Sequence, residues 1–120
     1  MVGYGVLIND LLAAAQVLEE QGIDAEVIKL NTITPLHTEE IISSVKKTGH
    51  LLVAEDCMAE GSVGQRLSAA LAQSGVVANI TLINCGNRFV THGALSCLKK
   101  ELGLDGDGIV HRALEVLRHG

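Results

Sequence analysis

Residues 30–71 read LNTITPLHTEEIISSVKKTGHLLVAEDCMAEGSVGQRLSAAL, and this stretch decides the fold class. A strand end meets a corner at Thr34 and Pro35, where proline removes a ladder donor and restrains the residue before it. A helix follows from about Thr38 to Lys47, with Ile41, Ile42 and Val45 on one stripe. Lys46 and Lys47 suit its C-terminal end and Gly49 stops it. His50–Ala54 is a short, continuously apolar strand of the kind buried on both faces, and it runs into two acids, Glu55 and Asp56. A glycine-bearing turn, Glu60–Gly64, then opens a helix over Val63–Gln73, with Leu67, Ala70 and Leu71 inward.

The same alternation extends both ways. Met1–Tyr4 has the character of a strand end. Helical spacing of Leu11, Leu12, Ala15 and Leu18 predicts a helix over Leu7–Gln21, with Asn9 and Asp10 in its opening region and Gly22 as its C′ residue. Ala25–Leu30 reads as the next strand. Downstream, Asn79–Asn84 is a strand and Cys85–Gly93 a loop, and Leu95, Leu98 and Leu102 mark a short helix. Asp105–Gly108 is a turn before a terminal helix, Ile109–Arg118, with Asp107 as its cap. Strands alternating with helices over a single domain's length predict a parallel sheet with right-handed crossovers.

Composition excludes several functions. The chain is 48% hydrophobic but 2% aromatic, so its core is aliphatic. No run reaches the ~18 apolar residues of a membrane span, and no signal peptide is visible. A net charge of -5, no basic cluster beyond a Lys pair, and Tyr4 and Phe89 as the sole aromatics argue against nucleic-acid binding. Cys57, Cys85 and Cys97 have no C-x-x-C spacing, which fits reduced thiols in a cytosolic protein better than a zinc site or a disulfide framework.

Four motifs are candidates for chemistry. Gly61-Ser62-Val63-Gly64 lies between a strand and a helix, where backbone N–H groups can hold an anion; equally, the glycines let the helix approach the sheet. Glu55-Asp56 stands at the C-terminal end of a central strand, where open α/β sheets place ligands; the alternative is an acid receiving N–H bonds from nearby loops. In Asn87–Gly93, Arg88 and His92 could meet a phosphate or carboxylate, or the segment is an ordered loop or interface anchored by Phe89. Gly106-Asp107-Gly108 copies the start of the thiamine-diphosphate motif, but no Asn follows it, and it reads as a turn with a helix cap. The remaining histidines are scattered, and no catalytic triad or metal set can be assembled from spacing.

Together these segments resemble the C-terminal domain of the transketolase family. VGYGVLINDLLAAAQVLEEQGIDAEVI is similar to that domain's first strand end, helix and second strand, and residues 30–71 to its shared "PLD", "LVVxEE" and "GGxG" stretch. CGNRFVTHGALSCLKKELGLDGDGIV resembles the "DRFxxHG…LLxELGLDxxGI" ending of 1-deoxy-D-xylulose-5-phosphate synthases and related transketolases, rather than the ending of 2-oxoacid dehydrogenase β subunits. Asn87 stands where that branch often has Asp, Asp56 replaces a second Glu, and Glu60 with Gly61 replaces paired glycines.

The resemblance implies a three-layer α/β/α domain with a five-stranded, mostly parallel open sheet. Met1 falls inside an expected strand, and the antiparallel edge strand before it is absent, so the N-terminal edge reads as truncated and the chain as one piece of a larger enzyme or a split-gene product. It further implies a cytoplasmic parent, usually a homodimer, that uses thiamine diphosphate and Mg²⁺ carried by its N-terminal and middle domains. This domain would contribute subunit contacts, bind no cofactor or metal and lack catalysis alone. Glu55, Gly61, Gly64, Arg88 and His92 remain as possible anion or interface contacts. Association through an incomplete sheet edge or an exposed partner surface is expected. The rival readings are a stand-alone interaction or regulatory module, a dehydrogenase β-subunit domain, and a small anion-binding domain using Gly61–Gly64 and Arg88.

Overall fold

The computed structural model describes residues 1–31, 36–55, 62–84 and 104–119. The chain starts on β1 (Val2–Gly3), makes a 3₁₀ turn (Gly5–Leu7) and enters α1 (Ile8–Glu20). It continues through β2 (Ile28–Lys29), α2 (Glu39–Thr48), β3 (His50–Ala54), α3 (Val63–Gln73), β4 (Asn79–Ile83) and α4 (Gly106–His119).

Four strands form one sheet in the order β2-β1-β3-β4, every pair parallel. The chain steps outward from β1 to β2, then returns past β1 to β3 and β4. Crossovers of one hand on a sheet traversed in both directions put helices on both faces, and the core divides accordingly. Ile41 and Val45 of α2 and Val63, Leu67 and Leu71 of α3 pack with Val2, Leu51 and Val53. Leu11, Ala14 and Leu18 of α1 and Ile109 and Val110 of α4 pack with Leu52, Ala54 and Ile83. Successive β3 residues therefore serve opposite cores, which is why this strand is apolar throughout instead of alternating.

Local signals place the helix ends. α1 closes in a Schellman motif: Gly22, at φ 82, donates to the Glu19 carbonyl, and Ile23 donates to Leu18. α2 has Glu39 and Glu40 in its first turn and Lys46 and Lys47 in its last, matching both ends of its dipole. α3 spans its predicted residues, Val63–Gln73, unchanged.

Two expectations are revised. Asp105–Gly108 is not a turn ahead of the last helix; α4 already begins at Gly106. Its cap is Asp105, whose Oδ1 accepts from Gly108 N–H at 2.8 Å while its carbonyl accepts from Ile109 at 3.0 Å. Asp107, predicted as the cap, is exposed in the first turn. The strand predicted over Ala25–Leu30 contracts to Ile28–Lys29, because β1 pairs with it only at Val2 and Gly3. The short first strand lies inside this sheet, between β2 and β3. The Thr34–Pro35 corner and the short helix at Leu95, Leu98 and Leu102 lie outside the described residues.

Candidate functional site

Strand order reverses between β1 and β3, and the crevice above their C-terminal ends is where an open α/β sheet forms its ligand site. In this chain the crevice is built by Tyr4, which follows β1, and Glu55, which follows β3. Glu55 is 1% exposed. Its Oε1 accepts from the Tyr4 hydroxyl at 2.9 Å and from Val63 N–H at 3.0 Å, and its Oε2 accepts from Gly64 N–H at 2.8 Å.

Those two N–H groups belong to the first turn of α3, which begins without intrahelical partners for its amides. Ser62 accepts from Gln65 N–H at 3.2 Å through its side chain and from Arg66 N–H at 3.1 Å through its carbonyl. Every amide from Val63 to Arg66 is thus engaged. The helix N-terminus does hold an anion, and that anion is the chain's own Glu55 carboxylate, favoured there by both the free amides and the helix dipole. The arrangement ties the ends of β1 and β3 to the start of α3 through one buried acid.

Gly64 makes the approach possible. A Cβ there would stand 2.7 Å from Leu82 Cδ2 and 3.1 Å from Glu55 Oε2, so a side chain would displace the Leu82 methyl and crowd the carboxylate.

Of the residues singled out from sequence, Glu55 and Gly64 are thus brought into direct contact. Gly61, Arg88 and His92, like Asp56 and the three cysteines, lie outside the described residues. Tyr4 was not singled out from sequence as a site residue. Its signal was available: a polar aromatic between Gly3 and Gly5, at the end of a strand beside the switch point.

The thiamine diphosphate and Mg²⁺ implied for the parent enzyme need metal ligands and a diphosphate cradle. Gly106-Asp107-Gly108 forms instead the first turn of α4, with Gly108 N–H committed to Asp105. Among the described residues, no three His, Cys, Asp or Glu side chains gather as a metal site. These residues do not fit that cofactor and metal. No helix among the described residues is long and apolar enough to cross a membrane.

The 1-deoxy-D-xylulose-5-phosphate synthase of Dehalococcoides mccartyi is 33% identical over 106 residues, covering 87% of this chain and 17% of that protein. The enzyme of the same name from Trichormus variabilis is 32% identical over 115 residues, covering 96% of this chain and 18% of its own length. The mitochondrial pyruvate dehydrogenase E1 component subunit beta of Dictyostelium discoideum is 37% identical over 73 residues, 61% of this chain and 20% of that protein. The chain spans about a fifth or less of these curated relatives. The solved structure of a split gene transketolase, an inactive beta4 tetramer, shares the fold: TM-score 0.84 at 24% identity, covering 98% of this chain and 38% of that one. The transketolase C-terminal domain, a domain of thiamine-diphosphate-dependent enzymes, matches residues 1–109. On a match of that length, with the doubly wound parallel sheet beneath it, the chain belongs to the transketolase C-terminal domain family.

Proposed function

We propose that this chain serves as the C-terminal domain of a transketolase-type enzyme of the 1-deoxy-D-xylulose-5-phosphate synthase kind. The parent moves a two-carbon unit to a sugar phosphate or glyceraldehyde 3-phosphate, and the thiamine cofactor carries the hard chemistry. This domain's part is architectural. It braces the other domains and the subunit contact, and Glu55 fixes the crevice in one shape.

The observation that carries the reading is how far each kind of relative aligns. Relatives named 1-deoxy-D-xylulose-5-phosphate synthase cover 87 to 97% of the chain, whereas dehydrogenase β subunits cover 61 to 64%. The fuller coverage supports the synthase branch over the dehydrogenase branch. Its partners are then the N-terminal and middle domains of the parent, on the same polypeptide or a separate subunit. The related split gene transketolase chain is an inactive tetramer, which supports self-association of this chain without activity. Gly61, Arg88 and His92 belong to this proposal as contacts to a partner domain or an anion.

The test combines the 120-residue chain with the parent's remaining domains and measures two-carbon transfer. Activity should need both parts. Turnover by the 120 residues alone sinks the proposal, and so does full activity of the other domains without them.

A further inference from the structure

β4 is the last strand of the sheet, and among the described residues nothing pairs with its outer side. Its ladder to β3 fixes which backbone groups point outward. Asn79 N–H donates to the Gly49 carbonyl, and the Ile83 carbonyl accepts from Glu55 N–H, each at 2.9 Å. Odd-numbered residues of β4 are thus turned to β3, and the N–H and C=O of Ile80 and Leu82 are turned to the rim. A bare rim is a template for another strand, and natural sheets blunt it with charge, proline or a bulge. This rim has none of the three. β4 pairs with β3 residue for residue from end to end. No charged residue or proline occurs between Arg66 and Arg88, the longest such interval in the sequence.

The side chains beside the rim are of one character. Ile80 lies opposite Leu51 and Leu82 opposite Val53, so both stand on the sheet face that carries α2 and α3. Ile80 is 38% exposed there. Gly64 of α3 rests against Leu82, and Ser68 and Ala72 follow it at intervals of four on the same stripe of the helix. The side of α3 turned to β4 is therefore small, with Gln65 and Ala69 exposed beside it. Ser68 Oγ donates to the Gly64 carbonyl at 2.8 Å, so its hydroxyl needs no outside partner.

We propose that this rim is an interface between two copies of the chain, β4 pairing antiparallel with β4 of a second copy about a two-fold axis at Ile80. Ile80 then faces its own counterpart, and Ala78 and Leu82 face Leu82 and Ala78 of the second copy. Outward backbone groups from Ala78 to Leu82 are paired, and the row of side chains on the α3 face sets large against small on either side of the central isoleucines. A two-fold contact uses one patch twice, so the patch must be self-complementary, and this one is. The helices agree with the register. Two residues of strand cover about the length of four to five residues of helix, so with Gly64 beside Leu82, Ser68 and Ala69 lie level with Ile80. α3 and its counterpart meet there at small residues, with their dipoles antiparallel. Charge selects the occupant. Each copy carries a net charge of -5, so two copies repel over most of their surface, and the α3–β4 rim lets them meet without setting like charges together. The interface belongs to α3 and β4 and does not rest on the enzymatic reading above.

Sedimentation equilibrium of the 120-residue chain tests this. A monomer–dimer equilibrium with Kd on the order of 100 μM is expected, with exchange of the Ile80 and Leu82 amides slowing as concentration rises through that value. Ile80→Lys puts two like charges on the axis and should weaken the dimer at least about tenfold. Circular dichroism and thermal unfolding should show that variant folded, because position 80 is partly in solvent. Ala69→Glu, on the exposed side of α3, should weaken the dimer without touching the strand. Leu12→Lys, exposed on α1 in the opposite layer, should leave it unchanged. Added salt should tighten the dimer by screening the repulsion between copies. A chain that stays monomeric to about 1 mM, a dimer broken by Leu12→Lys but not by Ile80→Lys, or Ile80 and Leu82 amides equally protected at every concentration would overturn the proposal.

Discussion

Glu55 joins three separate parts of the chain, and its carboxylate is the acceptor in every bond described for it above. Glu55→Gln keeps the volume but turns one acceptor into a donor that faces another donor. It should cost about 1–3 kcal/mol, the usual range for a buried group left unpaired. Tyr4→Phe removes one of the three bonds and should cost about 1 kcal/mol. Urea unfolding of both variants and their double mutant checks this, and the two losses should be less than additive because they share Oε1. The Met1 amino group gives a second prediction. Desolvation holds its pKa below the ordinary 8.0, with Glu26 opposing in part. Between the lowered value and about 8 the unfolded chain binds more protons than the folded one, so stability rises with pH through that window. Above it both states are neutral and the gain is complete; below it both are charged and the burial penalty is full. Denaturation across about pH 6 to 9 should show this rise, and N-terminal acetylation should remove that part of the slope. Sequence made Glu55 visible because an acid at the end of an apolar strand is conspicuous. Tyr4 carries a local signal in its place between two glycines at a strand end, but its partner lies 51 positions away, and no local pattern names that partner.

At the scale of elements, legibility followed the locality of the signal. α3 was predicted to the residue because Ser62, an extended N-cap whose side chain accepts from Gln65, sits immediately before the periodic stretch. β3 was equally clear from its unbroken apolar run. β2 was overestimated, since a strand's length is set by its pairing, and Ile28 and Lys29 are the residues that pair with β1. α4 was started late because three residues of glycine and aspartate resemble a turn, while the helix needs only one aspartate ahead of them to satisfy its first amides. The two aspartates therefore separate experimentally. Asp105→Ala removes the acceptor for Gly108 N–H and should cost about 1 kcal/mol. Asp107→Ala removes only a favourable charge from an exposed first turn and should cost a few tenths of that amount. Thermal unfolding of the two variants gives the comparison, and equal losses would contradict Asp105 as the cap.

The described residues form one sheet between two aliphatic cores, and the chain has no Trp to strengthen either. Alternate residues of β3 feed both: Leu51 and Val53 face α2 and α3, while Leu52 and Ala54 face α1 and α4. A five-residue strand cannot lose its packing on one face and keep its register, because register is fixed by which side chains are buried on each side. The two cores should therefore unfold together although no side chain belongs to both. Leu11 and Leu67 are matched probes, buried to 0% and 1% exposure in opposite layers. Leu→Ala at either site should cost about 3 kcal/mol, the middle of the range for a buried leucine. Each loss should appear in a single transition that has the same midpoint by far-UV circular dichroism and by near-UV absorption of Tyr4, the only tyrosine. Tyr4 packs against the α2–α3 core, so it reports directly on one layer. If Leu11→Ala, in the other layer, lowered the helical signal while leaving the Tyr4 transition in place, the sheet would not be coupling its two faces.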